Sequence, residues 1–161
     1  PYWIQLVSDY DTWAKQLVDT DAFNYGMLAS DWSVESDLWE SLTDDVTMNI
    51  VRKGESVLEY IKQRSKSHLK SYGFVTEFAG YKCLAVNSRY ESSMIFDSVR
   101  NQYPVCVMFE FTGRCWKYSL YTNGRLNASQ IASIYGGGGH AGAAGFTTDT
   151  LLPCFTKEIS E

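Results

Sequence analysis

The chain has 161 residues, 45% of them apolar and 20% charged, with 14 basic against 19 acidic residues for a net charge of −5. A chain of this length and apolar content buries an ordinary core, so disorder, collagen and coiled-coil rods are excluded. No apolar run approaches the ~18 residues that cross a bilayer, and no charged segment precedes an apolar stretch as in a signal peptide, so a cytoplasmic protein is expected. Charge is uneven along the chain. Residues 1–45 carry ten acids and Lys15 as their one base, a net of −9, residues 46–72 carry a net of +4, and the remainder balances. A protein that grips many phosphates of a long nucleic acid carries a basic domain, which is absent here; a short anionic ligand held by a few local donors remains compatible. Cys83, Cys106, Cys115 and Cys154 lie far apart with no C-x-x-C pair and read as reduced thiols, not as a disulfide framework or zinc site. The first residue is Pro1, which points to a piece of something longer.

From residue 13 to about 44, Trp13, Leu17 and Val18, then Phe23, Met27 and Leu28, then Val34, Leu38, Trp39 and Leu42 recur at helical spacing, predicting two or three short helices. All five tryptophans are read as core residues and not as platforms for base stacking. Residues 46–72 contain no proline and place Val46, Ile50, Val57, Leu58, Ile61 and Leu69 on one side, interrupted by Gly54, Arg64 and His68. This predicts one long, half-exposed helix linking two bodies.

After Gly73 the period changes. The runs FVTEFAG, YKCLAVN, YPVCVMFEFTG and CWKYSLYTNG are rich in β-branched and aromatic residues and bounded by Gly, Asn or Pro, which predicts strands, with a hairpin turning at residues 112–114. Residues 92–102 place Met94, Ile95, Phe96 and Val99 on one side of a predicted helix. A second predicted helix, residues 128–135, has Asn127 as its cap and Gly136 just past its end. The second half is therefore α/β with a mixed or mostly antiparallel sheet.

Residues 136–146 read GGGGHAGAAGF. Glycine permits positive φ and lets backbone N–H groups approach an anion, and a histidine beside them can donate to a phosphate oxygen or move a proton. A short helix opening at His140 would aim further N–H groups at the same spot.

The pattern N-x-S-x-I-A-x-x-Y-G-G-G-G-H-x-x-A-A-G-F, from Asn127 to Phe146, resembles the signature of the DHHA1 domain, the C-terminal substrate-binding domain of DHH-family phosphoesterases, which include RecJ-like exonucleases, oligoribonucleases and cyclic-dinucleotide phosphodiesterases. S-D-Y-D-T-W from Ser8 and D-x-x-x-F-N-Y-G from Asp19 are similar to the end of the catalytic DHH domain. The resemblance implies residues 1–45 as the helical end of a DHH domain, 46–72 as a linker helix and 73–161 as an α/β, mixed-sheet DHHA1 domain. It implies a hydrolase cleaving phosphodiester bonds of short oligonucleotides or linear or cyclic dinucleotides to nucleoside monophosphates, with two Mn²⁺ ions activating water. Its implied site comprises His140 as catalytic residue; Gly137, Gly138, Gly139, His140, Ala141, Arg89 and Arg125 around substrate phosphate; and Asp9 and Asp11 as metal ligands completed by an N-terminal segment. If residues 8–13 form a strand, Asp9 and Asp11 face the same side. The D-H-H motif is absent, so this chain alone is expected to be inactive. Where many members have S-L-R-S, this chain has Ser119, Leu120, Tyr121 and Thr122, so Tyr121 stands in place of a phosphate-gripping arginine and Arg89, Arg114 or Arg125 would supply the charge. Asn87, Ser88, Arg89, Ser92 and Ser93 follow a strand, where α/β sheets place ligand loops. The expected partners are a short oligonucleotide, dinucleotide or nucleoside monophosphate, with no membrane and with homodimerisation open. The alternative is a non-catalytic RNA- or nucleotide-binding module, since DHHA1 domains also occur in alanyl-tRNA synthetases.

Overall fold

The computed structural model describes residues 1–12, 14–89 and 93–156; Trp13 and Ser92, expected on a helix face and in a ligand loop, lie outside them. The chain forms two compact units, residues 1–64 and 65–161.

The first unit contains α1 (Tyr2–Asp11), α2 (Thr20–Leu28), α3 (Leu38–Ser41) and the greater part of α4 (Asp44–Tyr72). The segment around Asp9 is helical, not extended. Residues two apart on a helix lie about 200° round its axis, so Asp9 and Asp11 do not share a side. Leu6, Ala22, Phe23, Met27, Ile50 and Val51 are buried. Gly54, which breaks the apolar stripe of α4, is in fact buried at its centre: a Cβ there would stand 1.6 Å from the Ala22 carbonyl oxygen, and one on Gly26 would stand 2.0 Å from that of Ile50. These two glycines let the backbones of α2 and α4 touch.

The second unit is built on a six-stranded sheet, β1 (Gly73–Phe78), β2 (Tyr81–Asn87), β3 (Val105–Phe111), β4 (Trp116–Thr122), β5 (Gly138–Gly139) and β6 (Ala143–Thr148), in the order β1-β2-β3-β4-β6-β5. Among the described residues only β2 and β3 pair in parallel, so the sheet is mixed. Ala79 and Gly80, both at positive φ, close the β1–β2 hairpin, as a two-residue turn requires. The predicted hairpin is present, with the Thr112 N–H donating to the Cys115 carbonyl at 2.9 Å.

Alternation along the strands divides the sheet into two faces. On one, Cys83, Ala85, Val107, Phe109, Tyr118, Leu120 and Phe146 pack under α5 (Ala128–Ser133). On the other, Leu84, Val86, Cys106 and Met108 are covered by Ile95 and Phe96, with Tyr121 at the edge. The covering segment is two 3₁₀ turns, Ser93–Phe96 and Arg100–Gln102, in place of the predicted helix. Pro104 accounts for where they end: the residue before a proline is driven out of helical backbone, and Tyr103 is extended at φ −128°, ψ 134°. The four cysteines are free; burial pushes the Cys106 thiol up to about 11 and Cys83 higher still, so both behave as inert packing groups.

Candidate functional site

The glycine segment begins where α5 ends. Asn127 caps that helix as predicted, its side chain accepting from the N–H groups of Ser129 and Gln130. Gly136, at φ +78°, turns the chain out of the helix, and the Gly137 N–H closes back on the Ala132 carbonyl at 3.0 Å. The chain then forms a hairpin in which Gly138 pairs with Gly145 and Gly139 with Ala144. His140 opens a tight turn, not a helix: its N–H donates to the Ala143 carbonyl at 2.8 Å, and the Ala143 N–H returns to the His140 carbonyl. The N–H groups of Gly136 and Gly137 are thus donated to the last turn of α5, and those of His140 and Ala143 within the hairpin turn. What the glycines provide is close approach. A Cβ on Gly137 would stand 2.1 Å from the Gly145 carbonyl oxygen, and one on Gly139 2.6 Å from the Ala144 Cα.

This hairpin forms one wall of a pocket of about 460 Å³, lined by Gly136, Gly137 and residues 143–147 together with Lys117, Tyr118, Ser119 and Tyr121 of β4. That volume lies in the ~300–1,000 Å³ range of small-molecule sites. Register explains its shape. Tyr121 pairs with Ala143, Ser119 with Gly145 and Lys117 with Thr147, so large or polar side chains of β4 face small ones of β6 across an open floor. Tyr121 rests on Phe96 with ring centroids 5.8 Å apart. Burial raises its phenol against the opposing effects of the Ser119 hydroxyl and the Arg100 charge, so the hydroxyl stays protonated at neutral pH. The position that resembles a family arginine therefore holds a neutral hydrogen-bonding group. Lys117 and Ser119 were missed in the sequence, although the alternation K-Y-S-L-Y carries the signal: Tyr118 and Leu120 face the core, and the residues between them face the pocket.

The other predicted residues fall at two ends of this face. Exposed His140 and Ala141 sit at the hairpin turn. That turn is tied to the start of α5 by the Ala128 N–H donating to the Ala141 carbonyl, and to the end of β4 by the Thr122 hydroxyl donating to the same carbonyl and the Thr122 N–H donating to that of Gly142. Arg125 lies exposed in the loop between those anchors. Arg89 is at the opposite end, with Nε 3.6 Å from Glu110 Oε2, and Glu110 pairs across the sheet with Lys117. From Lys117 to Tyr121 is about 14 Å at ~3.4 Å per residue, so Arg89 and His140 are not brought to one point. Arg114 is exposed in the β3–β4 turn. Beside β2, the Asn87 carbonyl accepts from His68 Nε2 at 3.2 Å and the Ser88 N–H continues the ladder to Phe109. Ser93 opens the first 3₁₀ turn.

In the first unit, Asp9 is buried, and both its oxygens are engaged: Oδ1 by the Gln16 N–H at 2.9 Å, Oδ2 by the Leu17 N–H at 3.1 Å and the Thr20 hydroxyl. The Thr20 bond is the largest influence holding its carboxyl below the usual range. Asp11 is exposed. Among the described residues no group of three His, Cys, Asp or Glu side chains could hold a metal ion, so the residues present do not by themselves build a two-metal centre.

No protein-family model matches the chain. Over 172 aligned residues, 98% of its length, it is 26% identical to an uncharacterised protein of Acanthamoeba polyphaga mimivirus. It spans only 39% of that protein. Among solved structures, 91% of the chain matches 60% of a pGpG-specific phosphodiesterase from Vibrio cholerae, with a TM-score of 0.54 at 12% identity. A further 79% match, to 36% of a DHH-domain structure from a member of the S1P family of ribosomal proteins, has a TM-score of 0.52 at 11% identity. At these identities the likeness is one of fold: a mixed α/β sheet domain with accompanying helices, as seen in a phosphodiesterase and a DHH-domain protein.

Proposed function

We propose that this chain is the C-terminal, substrate-binding region of a DHH-family phosphoesterase. Its ligand is a short oligonucleotide, a linear or cyclic dinucleotide, or the nucleoside monophosphate product, seated on the β4–β6 face. The observation that carries this reading is the 460 Å³ pocket lined by Gly136, Gly137 and residues 143–147 on one side and by Lys117, Ser119 and Tyr121 on the other. The fold shared with a phosphodiesterase supports it. In this reading Ser119 and Tyr121 hydrogen-bond the ligand and Lys117 offers charge at one end. His140, at the turn, donates to a phosphate oxygen. Hydrolysis, with Mn²⁺ as the activating ion, belongs to a longer chain. The proposed location is the cytoplasm; no helix among the described residues is long and apolar enough to cross a membrane.

Calorimetric titration of AMP and of linear and cyclic dinucleotides into the intact chain tests the reading. Binding that His140→Ala abolishes with the fold retained supports it. Unchanged affinity in the variant removes the role of His140, and absence of binding to any of these ligands removes the reading itself. A second reading, a nucleotide-binding module without chemistry, is favoured by Asp9, whose two oxygens are already committed to Gln16, Leu17 and Thr20. Manganese-dependent cleavage by a longer chain that loses activity on Asp9→Ala decides for the hydrolase.

A further inference from the structure

The first unit contains a second cavity, of about 170 Å³, that the proposed function does not use. Its buried lining residues are Leu6, Phe23 and Met27, joined by the rings of Tyr10, Trp32 and Trp39 and by the polar side chains of Asp11 and Asn24. The cavity is close in size to the ~150 Å³ void that accepts a benzene molecule. Trp32 and Trp39, predicted to pack in the core, are 53% and 37% exposed. The rings of Trp39 and Tyr10 are nonetheless held in place. Trp39 Nε1 donates to the Ser33 carbonyl at 2.8 Å and its ring lies 6.3 Å from that of Trp3, while the Tyr10 hydroxyl is hydrogen-bonded to the Asn24 side chain.

Three classes of occupant can be weighed. An anion meets the field of a segment, residues 1–45, whose net charge is −9. A hydrated metal ion suits that field but loses water against an apolar lining with one carboxylate. A neutral apolar group suits the lining and gains nothing from the charge. A cation with an apolar jacket satisfies both, since electron-rich ring faces attract it and the carboxylate complements it. The structure already shows such a contact: the Lys15 ammonium stands 3.9 Å from the centroid of the Tyr10 ring.

We infer that the cavity lined by Tyr10, Trp32, Trp39 and Asp11 is a binding site for an alkylated ammonium group, carried either by a free small molecule or by a methylated lysine side chain. The test titrates the intact chain with choline, with 3,3-dimethylbutan-1-ol as its uncharged isostere, and with a trimethyl-lysine peptide, reading the indole N–H signals of Trp32 and Trp39. Choline is expected to shift both signals and to bind at least tenfold more tightly than the isostere, with several-fold weakening in Asp11→Asn and in Trp32→Ala. Both substitutions are at exposed residues, and Asp11→Asn keeps the side chain's shape. Tighter binding of the peptide than of choline assigns the group to a partner's side chain; equal or weaker binding assigns it to a small molecule. Equal affinity for choline and its isostere, or binding of neither cation, overturns the inference.

Discussion

Neighbouring glycines in the GGGG run should respond oppositely to alanine. At Gly137 an added Cβ meets the Gly145 carbonyl oxygen at 2.1 Å and the Phe146 Cβ at 2.5 Å. Ordinary contact needs ~3.5 Å or more, so the backbone must separate by roughly 1.4 Å. β6 cannot yield freely, because it is paired to β4 on one side and β5 on the other, and Phe146 is stacked 4.6 Å from both Tyr118 and Tyr135. Overpacking costs typically about 1–3 kcal/mol, and this constrained site belongs at the upper end, near ~3 kcal/mol. At Gly138 nothing lies within 4 Å of an added Cβ and φ is not in the left-handed region. Alanine there is neutral or stabilises by about 0.4–1 kcal/mol through the unfolded chain. Trp116 is the sole tryptophan of residues 65–161, so its indole N–H signal followed through a urea titration reports the second unit separately. Gly137→Ala should lower the midpoint sharply and weaken nucleotide binding, and Gly138→Ala should do neither. Equal losses at the two positions would refute the reasoning, because they would mean that the run serves as a flexible loop and not as a close-packed hairpin.

In the first unit, Gly54→Ala improves helix propensity by ~1 kcal/mol, yet it places a methyl 1.6 Å from the Ala22 carbonyl oxygen. A net loss of about 1–2 kcal/mol is expected in urea denaturation, and a more stable variant would show that α2 and α4 do not touch there. Asp9 links this unit to pH. Its folded carboxyl is held below the ordinary aspartate value, so its contribution is complete above about pH 4, where an unfolded aspartate is ionised, and is lost as pH falls through the lower folded value. Asp9→Asn should lower the urea midpoint at pH 6 and narrow the gap to wild type at pH 3; a constant gap across that range would contradict the assignment.

Legibility in the sequence followed how far each signal depends on neighbours in the chain. α4, the hairpin at residues 112–115 and the Asn127 cap rest on spacing or on side chains reaching their own backbone, and each is found where expected. Asp9 and Asp11 fit a two-residue period over only three positions, too few to exclude the helix that Leu6 and Asp9 bury three residues apart. Trp32 and Trp39 have helical spacing, but apolar periodicity does not distinguish a ring that packs a core from one that lines an open cup. The GGGGH motif was visible as composition. Which glycine needs space and which needs positive φ is decided by β6 lying against β5 and β4, a contact made by residues that composition does not relate.

That same register constrains what the site can recognise. Its polar groups lie along one strand and are not gathered around one point: Lys117 beside Glu110 and Arg89 at one end, Tyr121 beside Ala143 and the His140 turn at the other, with Ser119 opposite Gly145 between them. Over the ~14 Å between those ends a single phosphate reaches one set of donors or the other. Under the proposed function the two ends therefore serve different groups of the same ligand. The neutral Tyr121 hydroxyl and the exposed His140 imidazole meet one group. Lys117, which pairs across the sheet with Glu110, meets the other. A ligand long enough to engage both ends gains from each, whereas a mononucleotide gains from one, so discrimination by length follows from the spacing of side chains on β4.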